Sequence, residues 1–318
     1  MPDDGVFPMS RKPPAPIDSR AVRRARARAA VRGLGLPVLA AEVAARMDER
    51  LDLVKIGPRR LLDAGCGTGS GISSLRTRYP ASRIIALDDV TAELVQARTL
   101  AAGAGWFARL STMLGARKNR APLTVAGALH RLPLAAASVD LVWSNLALHR
   151  YVDALAVFQE MHRVLTGEGL LMFSTLGPDT LKELRQGFAK ADPGWPHVHD
   201  FVDMHDLGDM LVASGFSAPV MDMETITLTY DDVMKLAADL QALGAGNALQ
   251  SRRRGLSGRG MWTRLRAAGA AQHFAGRLPA SFEIVYGHAW KPQSRTPAGD
   301  TPQIVKFHPS ADLLGTRK

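Results

Sequence analysis

Apolar positions along this chain switch repeatedly between helical and strand spacing. Residues 37–53, PVLAAEVAARMDERLDL, place apolar residues at helical intervals, with no glycine or proline after the first position. Residues 60–63 then read as a short buried strand that runs into glycines. SGISSLRTRY predicts a helix, RIIALDD a strand and TAELVQARTLA a helix opening at Thr91. This alternation is the pattern of a parallel sheet with helices on both faces.

The alternation continues downstream. Residues 105–118 form a basic amphipathic stretch, and PLTVAG reads as a weak strand. SVDLVWSN predicts a strand, VDALAVFQEMHRVL a one-sided helix, and GLLMFSTL a strand entered through the glycines of TGEG. Helices follow in DTLKELRQGFAKA and DMHDLGDMLVASG, then strand APVMDMETITLTY, helix DDVMKLAADLQALGAGN and a closing strand SFEIVYGHAW. The expected architecture is a doubly wound α/β domain over residues 19–290, with N-terminal helices and a lid insertion around 178–215. Residues 1–18, rich in proline and charge, are expected to be disordered, and residues 291–318 to form a flexible tail.

Composition narrows the function classes. No apolar run reaches the roughly 18 residues a membrane span needs, and the N-terminus lacks the apolar core of a secretory signal. The single cysteine, Cys66, excludes an intramolecular disulfide and any cysteine-rich zinc cluster, so a reducing cytoplasm is the default. His197 and His199 resemble a metal pair but have no third ligand nearby, so no metal is expected and the loop is read as packing Phe201. Net charge is +10, concentrated in residues 20–32 and 252–277. Either these are solvated faces or they attract an acidic partner. Neither block shows the aromatic interleaving used for stacking on single-stranded nucleic acid, and a polyanionic protein fits at least as well.

The candidate chemistry begins at LLDAGCGTGSG, residues 61–71. A dinucleotide fingerprint counted from Gly65 requires glycine or alanine at position 70, which holds Ser70, and no G-K-[ST] triphosphate loop is present. The pattern is instead Asp63, Gly65, Gly67, Gly69. An acid at a strand end suits the ammonium of S-adenosylmethionine, which has no phosphate, and the glycines let backbone close around its methionine chain. About 20 residues on, where an acid accepts ribose hydroxyls, stand Asp88 and Asp89 at the end of RIIALDD.

LLDAGCGTG resembles the first motif of the class I S-adenosylmethionine-dependent methyltransferases, and HRLPLAAASVDLVWSNLALH their approach to the fourth strand. Their sheet is mostly parallel with an antiparallel last strand. A closer resemblance, carried by SNLALH, FSTLGPDTLKELRQGF, HVHDF, DLGDMLVASGF, ETITLTYDD, DLQALGAGN, RRRGLSG and FEIVYGHAW, is to the malonyl-acyl carrier protein O-methyltransferases of biotin synthesis. It implies S-adenosylmethionine held by Asp63, Gly65, Gly67, Gly69, Asp88, Asp89 and Leu129. It also implies esterification of a malonyl carboxylate with Asn145 and His149 at the reacting end. The acidic carrier protein would dock on Arg252, Arg253, Arg254 and Arg259. An arginine-hydroxylating assembly factor of respiratory complex I is similar over the same stretches. That leaves another acceptor, or a non-catalytic scaffold, as alternatives. Three positions depart from the family pattern: Ala128 stands where relatives carry an aspartate that reads adenine, and Arg26 and Gly33 replace aromatic residues of the N-terminal helix. Weaker cofactor affinity is the expectation.

Overall fold

The computed structural model describes residues 14–32, 38–102 and 121–293. The basic stretch 105–118, Gly33 and most of the expected N-terminal arm and tail lie outside the described residues. The chain begins with helices α1 (Ser19–Val31) and α2 (Val38–Arg50). Strand β1 (Arg60–Ala64), helix α3 (Ile72–Arg78), strand β2 (Arg83–Asp88) and helix α4 (Thr91–Ala102) follow. Next come β3 (Leu123–Ala126), β4 (Val139–Ser144), α5 (Ala154–Val164) and β5 (Leu165–Leu176). The last third holds α6 (Lys182–Ala191), α7 (Met204–Ala213), β6 (Ser217–Tyr230), α8 (Val233–Ala242), α9 (Arg259–Ala270) and β7 (Leu278–Trp290).

The strands form one sheet in the order β3-β2-β1-β4-β5-β7-β6. The pairs from β3 to β5 are parallel, and β7 runs antiparallel to both β5 and β6. The doubly wound sheet with a reversed last strand is therefore present as expected. Alternate side chains of the central strands enter opposite cores. Leu61, Leu141 and Leu170 pack with α2, α6, α8 and α9, while Leu62, Val142 and Leu171 pack with α5 and α7. Burial on both faces explains why these strands read as unbroken apolar runs. β6, at the edge, alternates half-buried with exposed positions, which is the period-2 signature of a strand with one wet face. None of the described helices is long and apolar enough to cross a membrane.

Two expectations change. Residues 14–18 are not loose: Ile17 is buried and bridges Leu249, and the Asp18 carboxylate caps α1 by accepting from Ala21 N–H at 3.0 Å. Residue 291 is likewise held, its Lys291 ammonium donating to the carbonyls of His162 and Leu165 at 2.8 Å. Both attachments are long-range, so composition alone cannot reveal them. Helix α9 is a further element, formed inside what reads in the sequence only as a basic block.

The β5–β7 junction leaves no slack. A Cβ at Gly287 would stand 2.4 Å and 2.5 Å from two ring carbons of Phe173, and 2.8 Å from the Met221 sulfur. Phe173 is itself held edge-to-face against Phe158 at 5.1 Å. Gly287→Ala should therefore lower unfolding free energy by about 1–3 kcal/mol through overpacking. It would be read as a lower urea midpoint at unchanged slope.

Candidate active site

β1 delivers Asp63 to the carboxyl end of the sheet, and the chain then turns through glycines. Gly65, Gly67 and Gly69 have φ of +78°, +54° and +91°. At Gly65 space is also exhausted, because a Cβ there would lie 2.4 Å from that of Ala147 after β4. The N–H groups of Gly65 and Cys66 donate to Leu87 O at 2.7 and 3.0 Å, binding the loop to the end of β2. The next residue is Asp88, buried with 1% of its surface exposed.

Asp88 is the hub of the site. Its Oδ2 accepts from Gly67 N–H at 3.0 Å and its Oδ1 from Val90 N–H at 2.9 Å. Both oxygens also accept from Arg26 Nη2 at 2.8 Å. Arg26, 4% exposed on α1, further donates from Nη1 to Asp89 at 2.9 Å and from Nε to Glu93 at 3.1 Å. Burial pushes the Asp88 carboxyl upward, but Arg26, Arg150 and the two N–H donors outweigh it and hold the group below the usual range. At Asp89 burial wins, and its carboxyl is raised. Glu93, in the first turn of α4, completes the acidic cluster, and nothing in the sequence period marks it.

The loop acids suit different groups. Asp63 Oδ2 is buried with no hydrogen-bond partner, and burial together with Asp88 pushes this carboxyl up to about 7. An ammonium would compensate it, so the position fits the expected cofactor's amino group. Each oxygen of Asp88, in contrast, already accepts two donors. Ribose hydroxyls can reach this carboxylate only by displacing the Arg26 guanidinium. The Arg26 departure thus has a concrete meaning: α1 places a cation against the carboxylate expected to receive ribose hydroxyls.

Other expected residues are drawn into the scaffold. Leu129, expected among the cofactor-binding residues, is fully buried in the core, and its N–H donates to the Tyr151 hydroxyl at 3.2 Å. Ala128, half-buried, bridges Arg131 and brings no side-chain donor or acceptor. Asn145 is nearly buried, its amide nitrogen donating to Ala40 O at 2.8 Å and its oxygen accepting from Ser174 Oγ at 2.9 Å. In this conformation it fastens α2 to β5. His149 lies on the turn Leu148–Arg150, with its Nδ1 buried and unpartnered and its ring edge-on to Phe201 at 6.0 Å. Burial, then Arg150, drives its pKa well down, so the imidazole is neutral.

His149 and Arg150 face a cavity of about 180 Å³ between the sheet end and the segments that cover it. Leu39, Leu146, Leu181, Leu184 and Phe282 supply apolar walls, and residues 197–199 and 243–247 close it. His197 is stacked on Phe188 at 3.9 Å and contacts Asp192 at 3.0 Å. His199 Nε2 accepts from Ala248 N–H at 2.9 Å. The pair thus orders the cover, and no group of three or more potential metal ligands is found among the described residues.

The four expected docking arginines divide. Arg252 is committed internally, to the carbonyls of Ala248 and Leu249 and to Asp18 at 3.0 Å. Arg253 stands 5.9 Å from the Trp195 ring and 3.8 Å from Asp192. Arg254 and Arg259 are exposed. An open cleft is lined by residues 250–256 and Trp195, with Leu256 99% exposed beside the arginines.

The Asp63 carboxyl produces a measurable pH effect. Its folded pKa of about 7 lies above the unfolded value, so its contribution to stability is complete below pH 4 and lost as pH rises through 7. Asp63→Asn removes this loss. Relative to wild type, the variant should gain about 4 kcal/mol between pH 4 and pH 8, from roughly three units at 1.36 kcal/mol each. Urea unfolding of both chains across that range provides the measurement, and parallel curves would contradict it.

A methyltransferase-domain profile matches residues 62–173. A protein of Laribacter hongkongensis named malonyl-[acyl-carrier protein] O-methyltransferase is 49% identical over 92% of this chain and 97% of its own. A protein of the same name from Gallionella capsiferriformans is 50% identical over 88% and 93%. Among solved structures, a putative methyltransferase from Bacillus halodurans aligns with a TM-score of 0.53 at 13% identity, covering 79% of this chain and 99% of that one. The Bacillus subtilis YcgJ protein aligns at 0.52 and 12% over the same shares. These two likenesses establish the fold, and the close relatives establish the group. Taken with the glycine loop and acids at the carboxyl end of the sheet, they show that the chain belongs to the malonyl-[acyl-carrier protein] O-methyltransferase family.

Proposed function

We propose that the chain transfers the methyl group of S-adenosylmethionine to the free carboxylate of a malonyl group carried on acyl carrier protein, in the cytoplasm. The observation that carries this reading is the cavity that Arg26 separates from the acid cluster, which joins an apolar wall to unpartnered polar groups after β4. S-adenosylmethionine, when bound, brings a methyl carbon already activated by its sulfonium. A carboxylate is ionised at neutral pH, so one oxygen can form the O–CH₃ bond while the S–CH₃ electron pair returns to sulfur. No proton has to move. The protein's work is then alignment and exclusion of water. Asp63 would face the ammonium, and Asp88 and Asp89 the ribose, once Arg26 has given way. Asn145 acts by holding α2 and β5 in register around the loop.

The carrier protein would sit on the cleft of Arg253, Arg254 and Leu256. Two chain segments, 195–199 and 244–256, border both this cleft and the cavity, so a carrier docked there presents its acyl arm at the covered end. An acidic partner meeting this surface should associate faster at low salt.

Radiolabelled methyl transfer from S-adenosylmethionine to purified malonyl-carrier protein, against acetyl-carrier protein as control, tests the reaction. Label should appear only with the malonyl form. The Arg26 cation against Asp88 favours a second reading, a scaffold that no longer binds cofactor. Calorimetry with S-adenosylhomocysteine separates the two, and no detectable heat of binding would sink the enzyme reading. For docking, the double variant Arg253→Glu, Arg254→Glu should lose at least tenfold in kcat/KM on the carrier-bound substrate at low salt. The gap should close at high salt while S-adenosylhomocysteine binding is unchanged. Equal activity at low salt would refute the docking surface.

A further inference from the structure

We infer that Arg150, on the turn after β4, is the anchor for the acceptor's carboxylate, with His149 hydrogen-bonding the same group inside the cavity. The inference rests on the methyl-transfer reading only for the identity of the acceptor. The anion site itself is argued from the geometry.

Five cationic or imidazole side chains line the cavity, Arg26, His149, Arg150, His197 and His199, beside Asn247, whose amide is spent on Pro196 O. Three are already engaged. Arg26 is surrounded by Asp88, Asp89 and Glu93. His197 is paired with Asp192, and His199 accepts from the Ala248 N–H. The remaining two are neighbours in sequence, and each has a buried nitrogen without a partner, Arg150 Nη1 and His149 Nδ1. Among the described residues no carboxylate comes within 4 Å of Arg150, so the fold provides no counter-ion in contact.

Arg150 is half-buried, but its Nη1 is covered and lacks a partner, and a covered donor without an acceptor is costly to leave unpaired. Burial lowers the Arg150 pKa and Arg26 adds repulsion, against which the more distant Glu93 and Asp88 attract. Such a group is a poor structural element and a good receptor. Its unpartnered Nη1 can donate a charge-assisted hydrogen bond to one carboxylate oxygen, a bond that strengthens in a dry site. The neutral imidazole beside it can donate from one ring nitrogen to the same oxygen. One carboxylate oxygen so held leaves the other free to attack. The whole cavity, at about 180 Å³, is of a size that holds a small organic molecule, and its apolar walls suit a short acyl chain. A neutral acyl group would leave Arg150 unpaired, so the same residue selects against it.

The test uses the full chain and two small probes, monomethyl malonate and dimethyl malonate. They differ in one free carboxylate. Binding is followed by NMR, including the His149 ring proton resonances, for wild type, Arg150→Met and Arg150→Lys, with melting temperatures recorded in parallel. Wild type should bind monomethyl malonate at least tenfold more tightly than dimethyl malonate. Arg150→Met should lose that preference while melting at or above the wild-type temperature, because a covered guanidinium nitrogen without a partner is removed. Arg150→Lys should retain part of it. The assignment is overturned if Arg150→Met keeps the preference, if wild type shows none, or if Arg150→Met melts well below wild type, which would make Arg150 structural. Failure of the methyl-transfer reading looks different: probe binding as expected, with no label transferred to malonyl-carrier protein.

Discussion

Asp88 ties its own β2–α4 connection to two segments distant in sequence, the glycine loop and α1. Its carboxylate accepts from the glycine loop at Gly67, from the start of α4 at Val90 and from α1 at Arg26, while β2 carries it to the sheet end. With two donors on each oxygen, the group stays ionised although it is almost wholly buried. Buried charges persist only when paired and hydrogen-bonded in this way. The loop's path, the position of α1 and the acidity of the pocket all follow from that arrangement.

The location of the site follows from sheet topology. The order of the strands changes direction between β1 and β4, and β1, β2 and β4 release their chains at the same end. A crevice opens there in any parallel sheet of this winding. The rest of the chain turns the crevice into a closed site. The segment after β5 is tied to β7 by the Gly177 N–H to Glu283 O and the Leu181 N–H to Ser281 O, at 2.9 and 2.6 Å. Helix α1 is set directly against the end of α8, where Gly244, at φ +70°, leaves 2.6 Å between a would-be Cβ and the Arg26 Cα. The reversed strand and the cover are thus one assembly, and the cavity lies beneath it.

Positive charge on this chain has three separate uses. Part of it is internal: Arg26, Arg252 and Arg264 spend their donors on buried carboxylates and carbonyls. Part is on the surface, at Arg254 and Arg259, where it can meet an acidic partner. Arg150 is neither: it is half-buried at the cavity wall, with its Nη1 covered and unpartnered. A net charge read from composition sums all three and distinguishes none of them.

Legibility in the sequence tracks the range of the interactions involved. The alternation of strands and helices, the turn at Gly65 and the acids at Asp63 and Asp88 were readable, because period, φ requirement and strand-end position are local properties. The reversed last strand came with the family resemblance and was then found. Arg252 and Asn145 could be named but not given their roles, since their partners, Asp18, Ala40 and Ser174, are brought up by folding. Glu93 and Arg150 carried no signal of their own beyond lying in the first turn of a helix and next to a histidine. Whether a charged side chain ends in a network, in solvent or alone in a cavity depends on which distant segments pack around it. That is a property of the assembled sheet and its cover, and no local pattern encodes it.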